Sequence, residues 1–172
     1  YITRYNMTGD IKENGTFLFN TSAKSAEELE NVLPAFVKRD IANKNIKLFV
    51  IDAIKIAGEL GLRGRTNTIL QSAFFKVANI IPYDQAVEYM KKMAYKSFAK
   101  KGDAVVQMNY NAIDSAEANL IEIKVPDSWK TIQTGAPMAE VACDKYFKDI
   151  VHPILVLEGD KLPSSAFNAD GT

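Results

Sequence analysis

Between Ile46 and Phe75 the chain carries an apolar run, a hinge rich in glycine and arginine, and then a segment whose apolar residues recur at helical spacing. Ile46, Leu48, Phe49, Val50 and Ile51 form a β-branched and aromatic run that ends at Asp52. A short run of this kind fits a strand covered on both faces, as in parallel sheets whose crossover connections lie on either side. Ala53 to Leu60 reads as a short apolar helix, interrupted by Gly61 and Gly64. Arg65, Thr66 and Asn67 stand at the mouth of a further helix, Thr68 to Ile81, whose core face is predicted at Leu70, Phe74, Val77 and Ile81; Pro82 ends it.

The flanking segments extend a strand–helix rhythm. Gly15 introduces the strand candidate Thr16-Phe17-Leu18-Phe19, closed by Asn20. Ser25 and Glu28 have capping-box spacing, and Leu29, Val32, Leu33, Phe36, Val37 and Ile41 continue an apolar stripe that Pro34 should split or kink. Strand, helix, strand and helix in that order predict a parallel β/α unit with a right-handed crossover. Tyr83 to Ala99 follows as a helix with Val87, Met90, Ala94 and Phe98 inward, and Lys91, Lys92, Lys96, Lys100 and Lys101 as a basic patch near its carboxyl end, a solvated face or interface rim rather than a ligand site. Asp103 to Ser115 is predicted helical. Leu120 to Val125 is a strand or an extended arm before Pro126, and Trp129, the only tryptophan, should fasten a turn-rich loop to the body or to a partner surface. Pro137 begins another predicted helix, to about Ile150, and Ile154 to Leu157 is a last apolar run.

Composition narrows the function classes. A length of 172 residues suits one domain and buries about 70% of the unfolded chain's surface. Lys and Arg number 21 against 21 Asp and Glu, so overall charge gives no support to a nucleic-acid or anionic-membrane partner. No apolar stretch approaches the ~20 residues of a membrane span. One cysteine, Cys143, makes neither an internal disulfide nor a metal or iron–sulfur site by itself, and a reducing compartment is the simpler setting.

Chemical motifs are sparse. Gly58, Gly61 and Gly64 recur every third residue, but form neither G-x-G-x-x-G nor G-x-x-x-x-G-K-[ST]. Free amides at the helix start, with Arg63 and Arg65 beside them, would hold a phosphate or carboxylate; the alternative is an ordinary N-cap with the arginines paired to local acids. Asp52, at the carboxyl end of a strand, borders the place where open parallel sheets bind ligands, or else caps the next helix. Cys143 and His152 do not share a helical face, and His152 has no ligand-spaced companions. Asn109, Tyr110, Asn111 and Asp114 mark either a helix end or buried hydrogen bonding. No constellation amounts to an autonomous active site.

The run Phe49-Val50-Ile51-Asp52-Ala53, then Gly61-Leu62, Gly64-Arg65-Thr66-Asn67-Thr68-Ile69, Gln71 and Ala73-Phe74-Phe75, resembles the gamma-type domain of the pyruvate:ferredoxin (flavodoxin) oxidoreductases. Supporting pieces lie in order along nearly the whole chain: Gly15 to Asn20, Asn79 to Tyr83, Met108-Asn109-Tyr110, Val125-Pro126 with Ser128-Trp129, and Gly159 to Pro163 with Ser165-Ala166-Phe167. The resemblance implies a large enzyme, using thiamine diphosphate, Mg2+ and 4Fe-4S clusters, that decarboxylates pyruvate oxidatively, passes the acetyl group to coenzyme A and delivers electrons to ferredoxin or flavodoxin. It implies that residues 1–158 are a partial gamma-type α/β domain lacking its first strands, that residues 159–172 begin an interdomain linker, and that one sheet edge is left uncovered. The fold expected is α/β, a small, mostly parallel sheet flanked by helices.

The partners implied are the other domains of the same polypeptide, ferredoxin or flavodoxin, and a second copy of the complete enzyme, in the cytoplasm or an organelle such as the hydrogenosome. Thiamine diphosphate and the clusters belong to other domains, so no catalytic or metal-binding residue is expected here. Gly64, Arg65, Thr66, Asn67 and Thr68 are expected to form a domain-interface or coenzyme A-facing loop. Arg63 departs from the glycine common at that position and adds a cation there. The alternative, from a different class, is a free-standing binding or scaffold domain of similar architecture.

Overall fold

The computed structural model describes residues 2–3, 5–62, 64–133 and 144–168. The apolar run forms the central strand β2, Lys47–Ile51. Strand β1, Thr16–Asn20, lies parallel to it, with Thr16 opposite Lys47 and Asn20 opposite Ile51. Strand β3, Ile121–Ile123, lies antiparallel on the other side, with Leu48 opposite Ile123 and Val50 opposite Ile121. The sheet is therefore small, open and mixed, in the order β1-β2-β3. Of the two readings of Leu120 to Val125 the strand holds, but only for its first half, since Pro126 has no amide proton with which to extend a ladder.

Both faces of β2 are covered: Leu48, Val50 and Ile51 are each 1% exposed or less. On one face lie helices α1, Ala26–Leu29, and α2, Ala35–Asn43, separated at Pro34. Their Leu29, Val37 and Ile41 close over Leu48 and Val50. The Ser25 hydroxyl accepts the Glu28 amide at 3.3 Å, while the Glu28 carboxylate accepts the Lys24 amide at 2.6 Å, a capping box whose return bond lands one residue early. On the other face lie α3, Ala53–Glu59, α4, Asn67–Ala78, and α6, Asp103–Asn119. Their contact is built from Ala53, Ala57, Ala73, Ala112 and Ala116 around Ile51, Ile56 and Ile69. Small side chains let these backbones approach closely. Helix α5, Tyr83–Phe98, forms an outer layer, with Met90 and Ala94 against Ile113 of α6.

The core face of α4 differs from the predicted one. Ile69, Ser72 and Ala73 are buried, whereas Phe74 is 46% exposed. A period read from large apolar residues points to the wrong phase because α4 is held by a small polar residue. The Ser72 hydroxyl donates to the Ile113 carbonyl at 2.8 Å and accepts the Tyr83 hydroxyl at 3.0 Å, tying α4, α5 and α6 at one point. Helix α6 continues beyond the expected Ser115, and its polar cluster is not a helix end. Asn109 donates to the Val105 carbonyl at 2.8 Å, Asn111 accepts from Gln107 at 2.9 Å, and Asp114 pairs with Lys91 at 2.7 Å.

Trp129 fastens its loop as expected. It lies in a 3-10 turn, Asp127–Thr131, fully buried against α1 and α2. Its indole N–H donates to one oxygen of Glu30, and the Lys38 ammonium lies 2.5 Å from the other oxygen. That ammonium also donates to the Glu30 carbonyl at 3.0 Å and sits 6.0 Å from the indole centroid. The start of the helix expected from Pro137 lies outside the described residues. Its described end is a π-helical turn, Phe147–Val151, followed by α7, His152–Leu155. Ile154, Leu155 and Leu157 are exposed, so the last apolar run belongs to the surface.

The Lys38 hydrogen bond, reinforced by the Trp129 indole, holds the Glu30 carboxyl below the usual carboxylate range. A carboxyl whose pKa is lowered by folding contributes stability that is present above its unfolded value and lost as pH falls through the folded one. Urea unfolding should therefore show Glu30→Gln less stable than wild type at neutral pH, with the difference shrinking as the solution is acidified below the ordinary carboxylate range.

Candidate functional site

The loop between α3 and α4 is shaped by two glycines and one buried leucine. Gly61 and Gly64 take φ values of 72° and 79°, a left-handed backbone that glycine adopts without a Cβ penalty. Between them the buried Leu62 donates its amide to the Ala57 carbonyl at 2.8 Å, and its carbonyl accepts the Arg65 amide at 3.1 Å. The chain is thereby turned from the end of α3 into the start of α4. Arg63 lies outside the described residues.

Thr66 precedes α4 with φ −91° and ψ −12°, and its side chain makes no capping bond. The Thr66 carbonyl accepts the Leu70 amide at 3.0 Å, but the amides of the first turn have no side-chain acceptor among the described residues. The Arg65 side chain is exposed and has no ion-pair or hydrogen-bond partner among the described residues. Among the described residues neither a Thr66 side-chain cap nor an ion pair of Arg65 is present, and the Arg63 part of the capping alternative lies outside them. A guanidinium and the positive end of a 12-residue helix dipole stand together, with no ion pair to that guanidinium among the described residues.

Arg65, Asn67 and Thr68 border a groove of about 530 Å³ whose far wall is Val105, Met108 and Asn109 of α6. Gly64 and Thr66 complete the loop beside it. Asn109 is 6% exposed, and its amide nitrogen is engaged with Val105 while its amide oxygen has no hydrogen-bond partner among the described residues. Asn67, Thr68 and Phe98 also border a second groove, of about 340 Å³, between α4 and α5, walled by Phe75, Met90 and Met93. The start of α4 is thus where a cationic and amide-rich surface meets an apolar cleft. Sequence reasoning found the loop but left Asn109 unplaced; its signal was a poor helix former inside a long helix. The Phe98 position carried no signal beyond its inward phase on α5.

Asp52 both caps and borders a cavity. Its Oδ1 accepts the Lys55 amide at 2.9 Å at the start of α3, and Asn20 Oδ1 accepts the Ala53 amide at 3.0 Å. Beside them is a recess of about 230 Å³ at the carboxyl ends of β1 and β2, bordered by Thr21, Lys24, Asp52 and Lys55. Cys143 lies outside the described residues, and His152 begins α7 at the surface. No group of three or more His, Cys, Asp or Glu side chains is placed to hold a metal ion among the described residues. No described helix is long and apolar enough to cross a membrane. Of the basic face on α5, Lys91 pairs with Asp114, and Lys101 lies 5.4 Å from the Phe98 ring centroid.

A family model described as pyruvate ferredoxin/flavodoxin oxidoreductase matches residues 2–118. The chain is 46% identical over 171 residues to a pyruvate:ferredoxin oxidoreductase of Moorella thermoacetica, an alignment that covers 99% of the chain and 14% of that protein. It is 41% identical over 174 residues to a pyruvate-flavodoxin oxidoreductase of Klebsiella pneumoniae, covering 100% of the chain and 15% of the relative. It is also 34% identical over 198 residues to a pyruvate dehydrogenase (NADP(+)) of Cryptosporidium parvum, covering 100% of the chain and 10% of that protein. The chain therefore spans only 10–15% of the length of these relatives.

If the bond between Asp52 and the Lys55 amide is chiefly structural, Asp52→Ala should lower stability by about 1 kcal/mol, while Asp52→Asn, an equally good cap, should stay within a few tenths. Urea midpoints of the two variants measure the difference.

Proposed function

Because this chain belongs to the pyruvate ferredoxin/flavodoxin oxidoreductase family, we propose that it is one α/β part of a longer enzyme that oxidatively decarboxylates pyruvate to acetyl-CoA and passes the electrons to ferredoxin or flavodoxin. In that enzyme the chain carries no reacting group. Residues 1–158 form the α/β unit and residues 159–172 lead toward the next domain. Thiamine diphosphate, Mg2+ and the 4Fe-4S clusters supply the decarboxylation and electron-transfer chemistry. Those groups are held by other portions of the longer polypeptide.

The role assigned to this chain is to face coenzyme A with the loop Gly64, Arg65, Thr66, Asn67 and Thr68. Coenzyme A presents phosphate and diphosphate groups. A guanidinium recognises such oxygens through two parallel N–H bonds, and first-turn amides add donors aligned with the helix dipole. The observation that carries the reading is the Arg65 side chain, exposed and without a partner among the described residues, at the uncapped start of α4. Family membership supplies coenzyme A as the anion to consider, and the groove beside Asn109 supplies room for the remainder of the molecule.

Calorimetric titration of coenzyme A into this chain and into Arg65→Ala tests the assignment. Removing a charge-assisted contact to phosphate should weaken binding about tenfold or more. Heat that is absent with the wild-type chain, or identical for the two proteins, would remove the anion-site assignment and leave family membership untouched.

A further inference from the structure

One end of the Asn109 amide is engaged and the other is not. The residue is 6% exposed, inside a 17-residue helix. Its Nδ2 donates to the Val105 carbonyl at 2.8 Å. A carbonyl only accepts, so this bond fixes which way round the amide sits and leaves an acceptor, Oδ1, as the free end. No side-chain nitrogen or oxygen sealed from solvent lacks a partner among the described residues. Oδ1 has no partner among them, so it opens on the groove that Asn109 lines and not into the core.

That groove is built within residues 61–109, away from the sheet edge at β1. Leu62, Phe98, Val105 and Met108 make it apolar, while Arg65 and Thr68 stand on it at the start of α4. A single buried acceptor among apolar walls, with a guanidinium close by, suits a flat group that carries an N–H donor and is joined to a phosphate. Adenine is such a group, and its donor is the 6-amino nitrogen. The pantetheine arm of coenzyme A is the poorer match, because it brings amide carbonyls that apolar walls leave without donors and many rotatable bonds to immobilise.

We propose that Asn109 is a specificity-determining residue of this groove, whose Oδ1 accepts the 6-amino N–H of an adenine while Arg65 holds the phosphate joined to it. The assignment rests on the α4 start being the coenzyme A-facing site, and adds which half of the ligand lies in the groove and which of its groups is read. Selectivity follows from the fixed polarity of the amide. A 6-amino purine offers Oδ1 a donor, whereas a 6-oxo purine sets an oxygen against it in a site largely closed to water. Asn109 cannot turn its nitrogen to the groove instead without setting its own oxygen against the Val105 carbonyl.

Calorimetric titrations of the whole chain, Asn109→Leu and Arg65→Ala test the proposal. The probes are coenzyme A, adenosine 3′,5′-bisphosphate, its 6-oxo counterpart inosine 3′,5′-bisphosphate, and 4′-phosphopantetheine. Leucine matches asparagine in length, favours the helix, and leaves the Val105 carbonyl its backbone bond, so circular dichroism and the thermal midpoint should be kept. The wild type should prefer the 6-amino to the 6-oxo probe at least about tenfold. Asn109→Leu should bind the two alike, and Arg65→Ala should weaken both while keeping the preference. A merely structural role for Asn109 would change both affinities together and leave their ratio as it was. A wild-type chain that binds neither coenzyme A nor any probe would overturn this assignment and the loop reading together. Binding of coenzyme A with no preference between the purines, with 4′-phosphopantetheine the tighter half, or with a preference that survives Asn109→Leu would overturn the adenine assignment alone. The wild-type comparison decides even if Asn109→Leu does not fold.

Discussion

Every element of this molecule depends on the burial of β2 from both sides. Leu48 and Val50 face one helical layer, and Ile51 faces the other. Each such side chain contributes about 1.5–3 kcal/mol when removed from water. A strand with one wet face would leave one of the two helical layers without a floor. The asymmetry of those layers follows. On one side, branched and aromatic residues including Trp129 fill a deep contact. On the other, alanines bring α3, α4 and α6 close to the sheet and to one another.

That second layer positions the candidate site. α4 cannot slide or rotate freely, because Ser72 joins it to the Ile113 carbonyl of α6 and to Tyr83 at the start of α5. Lys76 adds a bond to Glu117 at 2.5 Å and stands 4.8 Å from the Tyr83 ring centroid. With its far half anchored, the near end of α4 projects Arg65, Asn67 and Thr68 over a groove whose opposite wall is a buried asparagine on α6. Rigid support behind an exposed, uncapped helix start is what an anion-facing surface needs, since donors that are already oriented lose little entropy on binding.

Much of the architecture was legible in the sequence, and the failures share a cause. The β2 run, the break at Pro34, the strand before Asn20 and the helices on either side of Pro82 all announce themselves through local chemistry. The buried face of α4 does not. Its stripe is Ile69, Ser72 and Ala73, and a serine enters a core face only because a carbonyl on α6 and a hydroxyl on α5 reach it, partners that are distant in the chain. The polar residues of α6 were ambiguous for the same reason, because Asn109 and Asp114 are settled by bonds along the helix and across to Lys91. The site loop was visible as a glycine pair and an arginine ahead of a helix. Whether Arg65 would be paired could not be read without knowing which acids lie nearby. Family membership was carried by ordered segments along the whole chain, not by any single motif.

Amide hydrogen exchange, measured with and without coenzyme A, reads the strand and the site together. The amides of Leu48 to Ile51 should exchange slowest in both conditions, as the last part of the fold to open, and the amides of Thr66 to Thr68 should exchange rapidly alone and slow when coenzyme A is present. Protection by coenzyme A that appears elsewhere and leaves Thr66 to Thr68 unchanged would contradict the site, and rapid exchange in β2 would contradict the strand on which the fold is said to rest.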